Sequence, residues 1–251
     1  MAGLEGRIAL VTGAGTGMGR SHAEVLAERG ADIVVQDIVE DAALETAELV
    51  RTAGRRAHVA VCDIADGVAL AAVIGEAAAL GPIDVLVNNA GIHALTPFEE
   101  IAEAEFDRIF AVNVAGTFNA MRAVLPGMKD RRRGAIVNVA STSGQIGTPG
   151  DTHYCASKGA VLGLTKAWAK EFAAWSIRVN AVSPGPIATE MTVRNRGWEG
   201  IRERAEKEIP LRRYGLPRDV SYAVAYLAGD GAGFVTGQVI PIAGGLAIVG
   251  I

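Results

Sequence analysis

Tyr154 and Lys158 stand four residues apart in the run Tyr154-Cys155-Ala156-Ser157-Lys158, and Ser141 lies thirteen residues upstream of the tyrosine. An i, i+4 pair shares one face of a helix. A free phenol, with a pKa of about 10, does little acid–base work near neutral pH. An ammonium ~4 Å away favours the phenolate by roughly 4 kcal/mol at an effective dielectric of ~20. Before desolvation is counted, that lowers the phenol by up to ~3 units. The chemistry expected of the pair is acid–base work, with the tyrosine as a usable general acid or base.

The elements that must position these residues alternate along the whole chain. Short Val/Ile/Ala-rich runs predict strands over residues 8–11, 32–36, 57–62, 84–88, 135–139, 178–182 and 239–242. Continuous apolar runs of this length suit strands buried on both faces of a parallel sheet. Helical patterns fill the intervals at 19–29, 41–53, 68–80, 103–125, 153–173 and 217–228. The alternation predicts an α/β fold: a doubly wound, seven-stranded parallel sheet with helices on both faces, Rossmann-like, in one domain over residues 1–251. Residues 187–210 break the pattern, being long, charged and marked by Trp198. A loop of that length in a compact domain is usually functional, and it is read as a lid over the substrate.

The first strand runs into Thr12-Gly13-Ala14-Gly15-Thr16-Gly17-Met18-Gly19, and a helix follows. Glycines there let the backbone approach a pyrophosphate at the positive end of the helix. The spacing fits T-G-x-x-x-G-x-G rather than G-x-G-x-x-G. Asp37 closes the second strand, 18 residues past Gly19, where an acid accepts hydrogen bonds from a ribose 2′-hydroxyl. A carboxylate repels a 2′-phosphate, and downstream no Arg or Lys follows until Arg51. The expected cofactor is therefore NAD(H) in preference to NADP(H).

With these motifs in order, the sequence closely resembles the short-chain dehydrogenase/reductase family over nearly its whole length. Asp63, the run Asn88-Asn89-Ala90-Gly91, Asn113, and Pro184-Gly185-x-Ile187-x-Thr189 complete the resemblance. The resemblance implies a catalytic set of Asn113, Ser141, Tyr154 and Lys158. Tyr154 exchanges the proton, Ser141 holds the substrate oxygen, Lys158 lowers the phenol pKa and binds the nicotinamide ribose, and Asn113 holds a relay water. It implies cofactor contacts at Gly13, Thr16, Gly17, Met18 and Gly19, at Asp37, at Asp63 and Ile64 beside the adenine, and at Asn89, Ala90 and Gly91. Tyr154, Lys158, Pro184, Gly185, Ile187 and Thr189 complete that set. The family geometry brings His93, Ser143, Gln145, His153, Pro186 and Met191 to the substrate pocket, with Trp198 on the lid. The implied activity is interconversion of a secondary alcohol and a ketone by hydride transfer. A 3-ketoacyl-thioester reductase using NADPH is the alternative, against which Asp37 speaks. A non-catalytic nucleotide-binding regulator is a distant one, against which the complete set of four speaks.

The bulk properties exclude other classes. The 251 residues are 50% hydrophobic and 21% charged with a net charge of −4, and nothing in these numbers suggests a surface for nucleic acid or an anionic membrane. The basic run at 129–133 is broken by Asp130 and reads as a solvated turn. Cys62 and Cys155 make no disulfide framework. His22, His58, His93 and His153 show no metal-ligand spacing, so no metal is expected. The first strand starts too early for a signal peptide, and no apolar run reaches about 18 residues. A soluble cytoplasmic protein is expected. Residues 244–251 are wholly apolar, which suggests burial against another subunit. Ala- and Gly-rich helices through Asn113 and Tyr154 could pair across a two-fold axis. The resemblance implies dimers or tetramers, and a homotetramer is expected.

Overall fold

The computed structural model describes residues 3–248. Strand β1 (Ile8–Thr12) is buried along its length and splits its side chains between two cores. Ala9 and Val11 enter one layer, Ile8 and Leu10 the other. This two-residue alternation with both faces apolar is what a sheet covered on both sides demands. The other strands are β2 (Asp32–Asp37), β3 (Ala57–Val61), β4 (Val85–Asn88), β5 (Gly134–Val139), β6 (Ile177–Pro184) and β7 (Val239–Ile242). Among the described residues they form one parallel sheet in the order β3-β2-β1-β4-β5-β6-β7.

Helices α1 (Gly17–Glu28), α2 (Glu40–Thr52) and α9 (Pro217–Ala228) cover one face through Leu26, Val50, Val224 and Leu227. Helices α3 (Gly67–Glu76), α5 (Thr117–Arg131) and α7 (Thr152–Phe172) cover the other through Leu70, Met121, Met128, Trp168 and Phe172. Truncating a fully buried leucine such as Leu10 or Leu26 to alanine costs about 2–5 kcal/mol. Among the described residues there are also the α-helices α4 (Glu103–Phe110), the single turn α6 (Ser143–Ile146) and α8 (Glu190–Glu208).

Strand order reverses between β1 and β4, which opens a crevice beyond their carboxyl ends. Thr12 fastens its rim: Asn89 and Ala90 each donate a backbone N–H to Thr12 Oγ1, at 3.0 Å.

Two stretches depart from the sequence expectation. The single helix expected over 103–125 is α4, then a π-helical turn (Ala111–Gly116), then α5. Helix α5 also runs on through Pro126 to Arg131, because Met128 beyond the proline is buried against the sheet. Residues 187–210, expected as one irregular segment, are mostly helical. Ile187 is buried in the main core and paired with Gly215, so it belongs to the body of the domain. The helix that follows breaks at Gly197 (φ 66°, ψ 162°), a left-handed conformation that suits glycine. Its second half has a small core of its own, made by Ile201, Ala205, Ile209 and Tyr214.

Candidate active site

The glycine turn is shaped by contacts that exclude a Cβ. One at Gly13 (φ 61°) would lie 2.8 Å from the Ala90 Cα, and one at Gly19 would strike the Gly13 carbonyl and come 2.6 Å from Asn89 Nδ2. Asn89 Nδ2 donates to the carbonyls of Thr12 (2.9 Å) and Gly13 (3.0 Å), tying β4 to the turn. Thr16 precedes α1 in extended conformation, exposed, and makes no side-chain capping bond. The first-turn amides of α1 therefore have no side-chain cap. Uncapped amides at the positive end of a helix suit a phosphate. Thr189 caps α8 by accepting from the Thr192 N–H at 3.3 Å, and its Cγ2 would lie 3.8 Å from a Cβ at Gly17. Met18 packs against the core beside the turn.

Asp37 ends β2 with both carboxylate oxygens engaged: Gly15 N–H donates to Oδ2 at 2.7 Å and Val39 N–H to Oδ1 at 3.1 Å. Each oxygen keeps acceptor capacity. The partly exposed carboxylate is thus fixed beside the glycine turn. Asp63 accepts from Ala65 N–H (2.9 Å) and pairs with Arg108 Nη1 (2.9 Å). The amide first, and then the guanidinium, hold its carboxyl below the usual range. Ile64 is buried against Gly116. Gly185 donates to the Ile242 carbonyl at 3.0 Å, and the Pro184 carbonyl accepts from Thr142 N–H at 3.0 Å.

Tyr154 and Lys158 lie on α7, Ser141 follows β5, and Asn113 sits within the π-helical turn. Such turns concentrate at functional sites because they displace one residue from the regular helix. Asn113 accepts from Ile92 N–H (2.8 Å) and donates to the Ile92 carbonyl (3.0 Å) and to Ser157 Oγ (3.0 Å). Its amide pins the segment after Gly91 against α7. A Cβ at Gly91 would lie 3.2 Å from Asn113 Oδ1 and 3.3 Å from Lys158 Nζ, so three of the expected residues converge.

The electrostatics correct the simplest reading of the Tyr–Lys pair. Lys158 Nζ donates to the Val139 carbonyl at 2.9 Å and stands 5.8 Å from the centroid of the Tyr154 ring. Burial pushes the lysine down to about 8. It pushes the phenol up to about 12, against the lowering effect of the Ser141 hydrogen bond. Burial disfavours the charged form of both groups, and the charges of Asp151 and Cys155 add to the rise of the phenol. At neutral pH the protein alone presents a protonated phenol, which is a proton donor.

The pocket residues divide. His93 stands with its ring perpendicular to that of Tyr154, centroids 4.7 Å apart. Ser143 N–H donates to Ser141 Oγ (3.1 Å), while Ser143 Oγ pairs with Thr148 Oγ1 (3.0 Å). Gln145 has a buried Oε1 without a hydrogen-bond partner. The Pro186 carbonyl takes the Gly215 N–H at 3.0 Å. His153 departs from the expectation: it is fully buried and its Nε2 bonds Glu105 Oε1 on α4 at 2.7 Å. Successive helical residues lie ~100° apart, so His153 cannot share the face of Tyr154. Trp198 is 64% exposed and lines an open cleft of about 510 Å³ with Ala188, Thr189, Glu190 and Val193. The side chain of Met191 lies outside the described residues.

Several positioning residues carried no clear signal in the sequence. Gln36 bridges the glycine turn, accepting from Gly13 N–H (3.3 Å), to the Cys62 carbonyl (2.9 Å). At Gly144 a Cβ would come 2.8 Å from the backbone of Lys158 and Gly159, which fixes the Ser141 turn against α7. Arg20 reaches back to the Gly15 carbonyl (2.9 Å) and pairs with Glu45 (2.8 Å). It is a base that counting downstream from Asp37 does not find. Among the described residues, no cluster of three or more His, Cys, Asp or Glu could hold a metal ion, and no helix is long and apolar enough to cross a membrane.

Residues 13–247 match the family model described as enoyl-(acyl carrier protein) reductase. The 3-oxoacyl-(acyl-carrier-protein) reductase of Thermotoga maritima is 41% identical over 246 residues, covering 98% of this chain and 99% of that protein. Among solved structures, a 3-oxoacyl-(acyl-carrier protein) reductase from Brucella melitensis with bound NAD superposes with a TM-score of 0.89 at 38% identity, covering 98% of this chain and 92% of that one. An NAD+-bound xylitol dehydrogenase superposes with a TM-score of 0.90 at 34% identity, covering 96% and 99% of the respective chains. Taken with the parallel sheet and the glycine turn at its switch point, these matches show that the chain belongs to the short-chain dehydrogenase/reductase family of oxidoreductases.

Proposed function

We propose that the protein interconverts a secondary alcohol and a ketone with NAD(H), Tyr154 serving as the acid or base. The observation that carries this reading is the convergence of Gly91, Asn113 and Lys158 at the helix that bears Tyr154. A nicotinamide dinucleotide, when bound, supplies or accepts the hydride. The residues present fit it: a turn too tight for side chains, an uncapped helix start, and a carboxylate at the end of β2.

The protein's part is positional and electrostatic. Ser141 and Tyr154 provide two donors for a carbonyl oxygen that gains negative charge. In reduction, the protonated phenol gives up its proton to that oxygen. In oxidation it must first be ionised, and a charged Lys158 offsets part of that cost. The Asp37 carboxylate favours a ribose hydroxyl over a phosphate, which supports NAD(H). We assign a lid role to the first half of α8, which borders the Trp198 cleft, and a homotetrameric state to the protein.

The name of the 41%-identical relative favours a second reading, reduction of a 3-ketoacyl thioester. Fluorescence titration with NADH and NADPH, followed by turnover of secondary alcohols, diols, ketones and an acetoacetyl thioester, separates the two. Tighter NADH binding with alcohol or ketone turnover supports the first. Tighter NADPH binding with thioester turnover overturns it.

A further inference from the structure

Asp151 occupies the position before α7 where an aspartate ordinarily accepts an N–H of the first helical turn. It makes no such bond. Its carboxylate is instead buried, and Oδ1 lies 2.8 Å from His93 Nε2. The segment bearing His93 is held on both sides, by the Asn113 bonds to Ile92 and by Thr96 N–H donating to the Gly150 carbonyl at 2.9 Å. The imidazole so fixed stands edge-on to the Tyr154 ring, at 4.7 Å between centroids and 87° between planes. Among the described residues, the polar and titratable groups around the phenol are His93, Ser141, Asp151, Cys155 and Lys158. Asp151 is the carboxylate among them, and its charge opposes ionisation of the phenol. The proton-transfer chemistry described above uses neither His93 nor Asp151.

We propose that His93 and Asp151 form a positioning pair for Tyr154. Asp151 fixes the imidazole. The imidazole holds the phenol ring in place and, through its N–H, draws off part of the field that the carboxylate exerts on the phenol. The proposal rests on the acid–base role given to Tyr154. A helix-capping aspartate would influence folding alone, whereas this one acts on the pH at which the phenol ionises.

The two members have opposite effects, which makes the pair testable. Asp151→Asn removes the charge and moves the apparent pKa of alcohol oxidation down. His93→Phe keeps an aromatic ring, leaves the carboxylate uncompensated and moves it up. Shifts of about half a unit to one unit are expected, a three- to tenfold change in rate at fixed pH on the rising limb. His93→Asn restores a donor for Asp151 without the ring; it should recover most of the pH position but not kcat. The shifts are measured from kcat against pH, and from the onset of tyrosinate absorbance below pH 11, taken as a difference from Tyr154→Phe protein. NADH binding, measured by fluorescence, should stay within twofold of wild type in all three. Opposite shifts in Asp151→Asn and His93→Phe establish the pair. Unmoved profiles, or shifts of the same sign in both, overturn it. Failure of the underlying role would show separately, as normal turnover by Tyr154→Phe.

Discussion

Replacing Asp37 by asparagine tests the basis of cofactor choice with little change in shape. Both carboxylate oxygens are held by backbone amides, at 2.7 Å from Gly15 and 3.1 Å from Val39, so the group presents a fixed charge. Hydrogen bonds to a charged acceptor are worth roughly 1.5–3 kcal/mol, about twice their neutral counterparts, so Asp37→Asn weakens a ribose hydroxyl contact by about 1 kcal/mol. A phosphate of charge about −2 at ~5 Å from the carboxylate is repelled by roughly 1.7 kcal/mol in a water-like dielectric, and the substitution removes that. The two effects act in the same direction. The ratio of NADPH to NADH dissociation constants should fall by about 2–3 kcal/mol, or roughly 30- to 150-fold. Fluorescence titration of both cofactors at fixed ionic strength gives the ratio, since screening weakens the phosphate term. A ratio changed less than about threefold would refute the electrostatic argument.

Three further outcomes are expected. His22 is fully buried against Ser221, and desolvation lowers it from 6.5 to about 3. The folded state then binds fewer protons than the unfolded chain between those values, so stability falls as the pH drops below ~6.5, by about 2 kcal/mol at pH 5. Urea unfolding at pH 7 and pH 5 should show that extra loss in wild type and not in His22→Gln, and equal losses would contradict it. Gly19→Ala drives a methyl group into the Gly13 carbonyl and should weaken NADH binding at least tenfold, against which an unchanged titration would count. Light scattering at micromolar concentration should give about four times the 26.0 kDa chain mass, and a monomer would remove the tetramer.

The sheet was legible because burial on both faces writes uninterrupted Val/Ile runs, and each expected strand appears within one or two residues of its place. The π-helical turn was not, because Ala111–Gly116 differs from ordinary helix only in its hydrogen-bond register, which pattern alone does not encode. Nor was the continuation of α5 past Pro126, where tertiary burial of Met128 overrides local preference. In the site, the spacing of Tyr154 and Lys158 correctly placed both on α7. It could not reveal that Lys158 spends its ammonium on the Val139 carbonyl, or that desolvation governs the phenol. The family geometry implies a pocket place for His153, but one residue along the helix from Tyr154 turns its side chain toward α4. Asp151 carried no signal in the sequence, because its partner His93 is 58 residues away.

The most direct test of the central claim is Tyr154→Phe, assayed for NADH binding and for turnover in the same preparation. The substitution removes the phenolic hydroxyl and leaves the ring to pack against His93. NADH binding within a few-fold of wild type, with turnover reduced by at least a thousandfold, is the predicted result. Turnover retained within tenfold would contradict the acid–base role of Tyr154 and the reading of the site built on it.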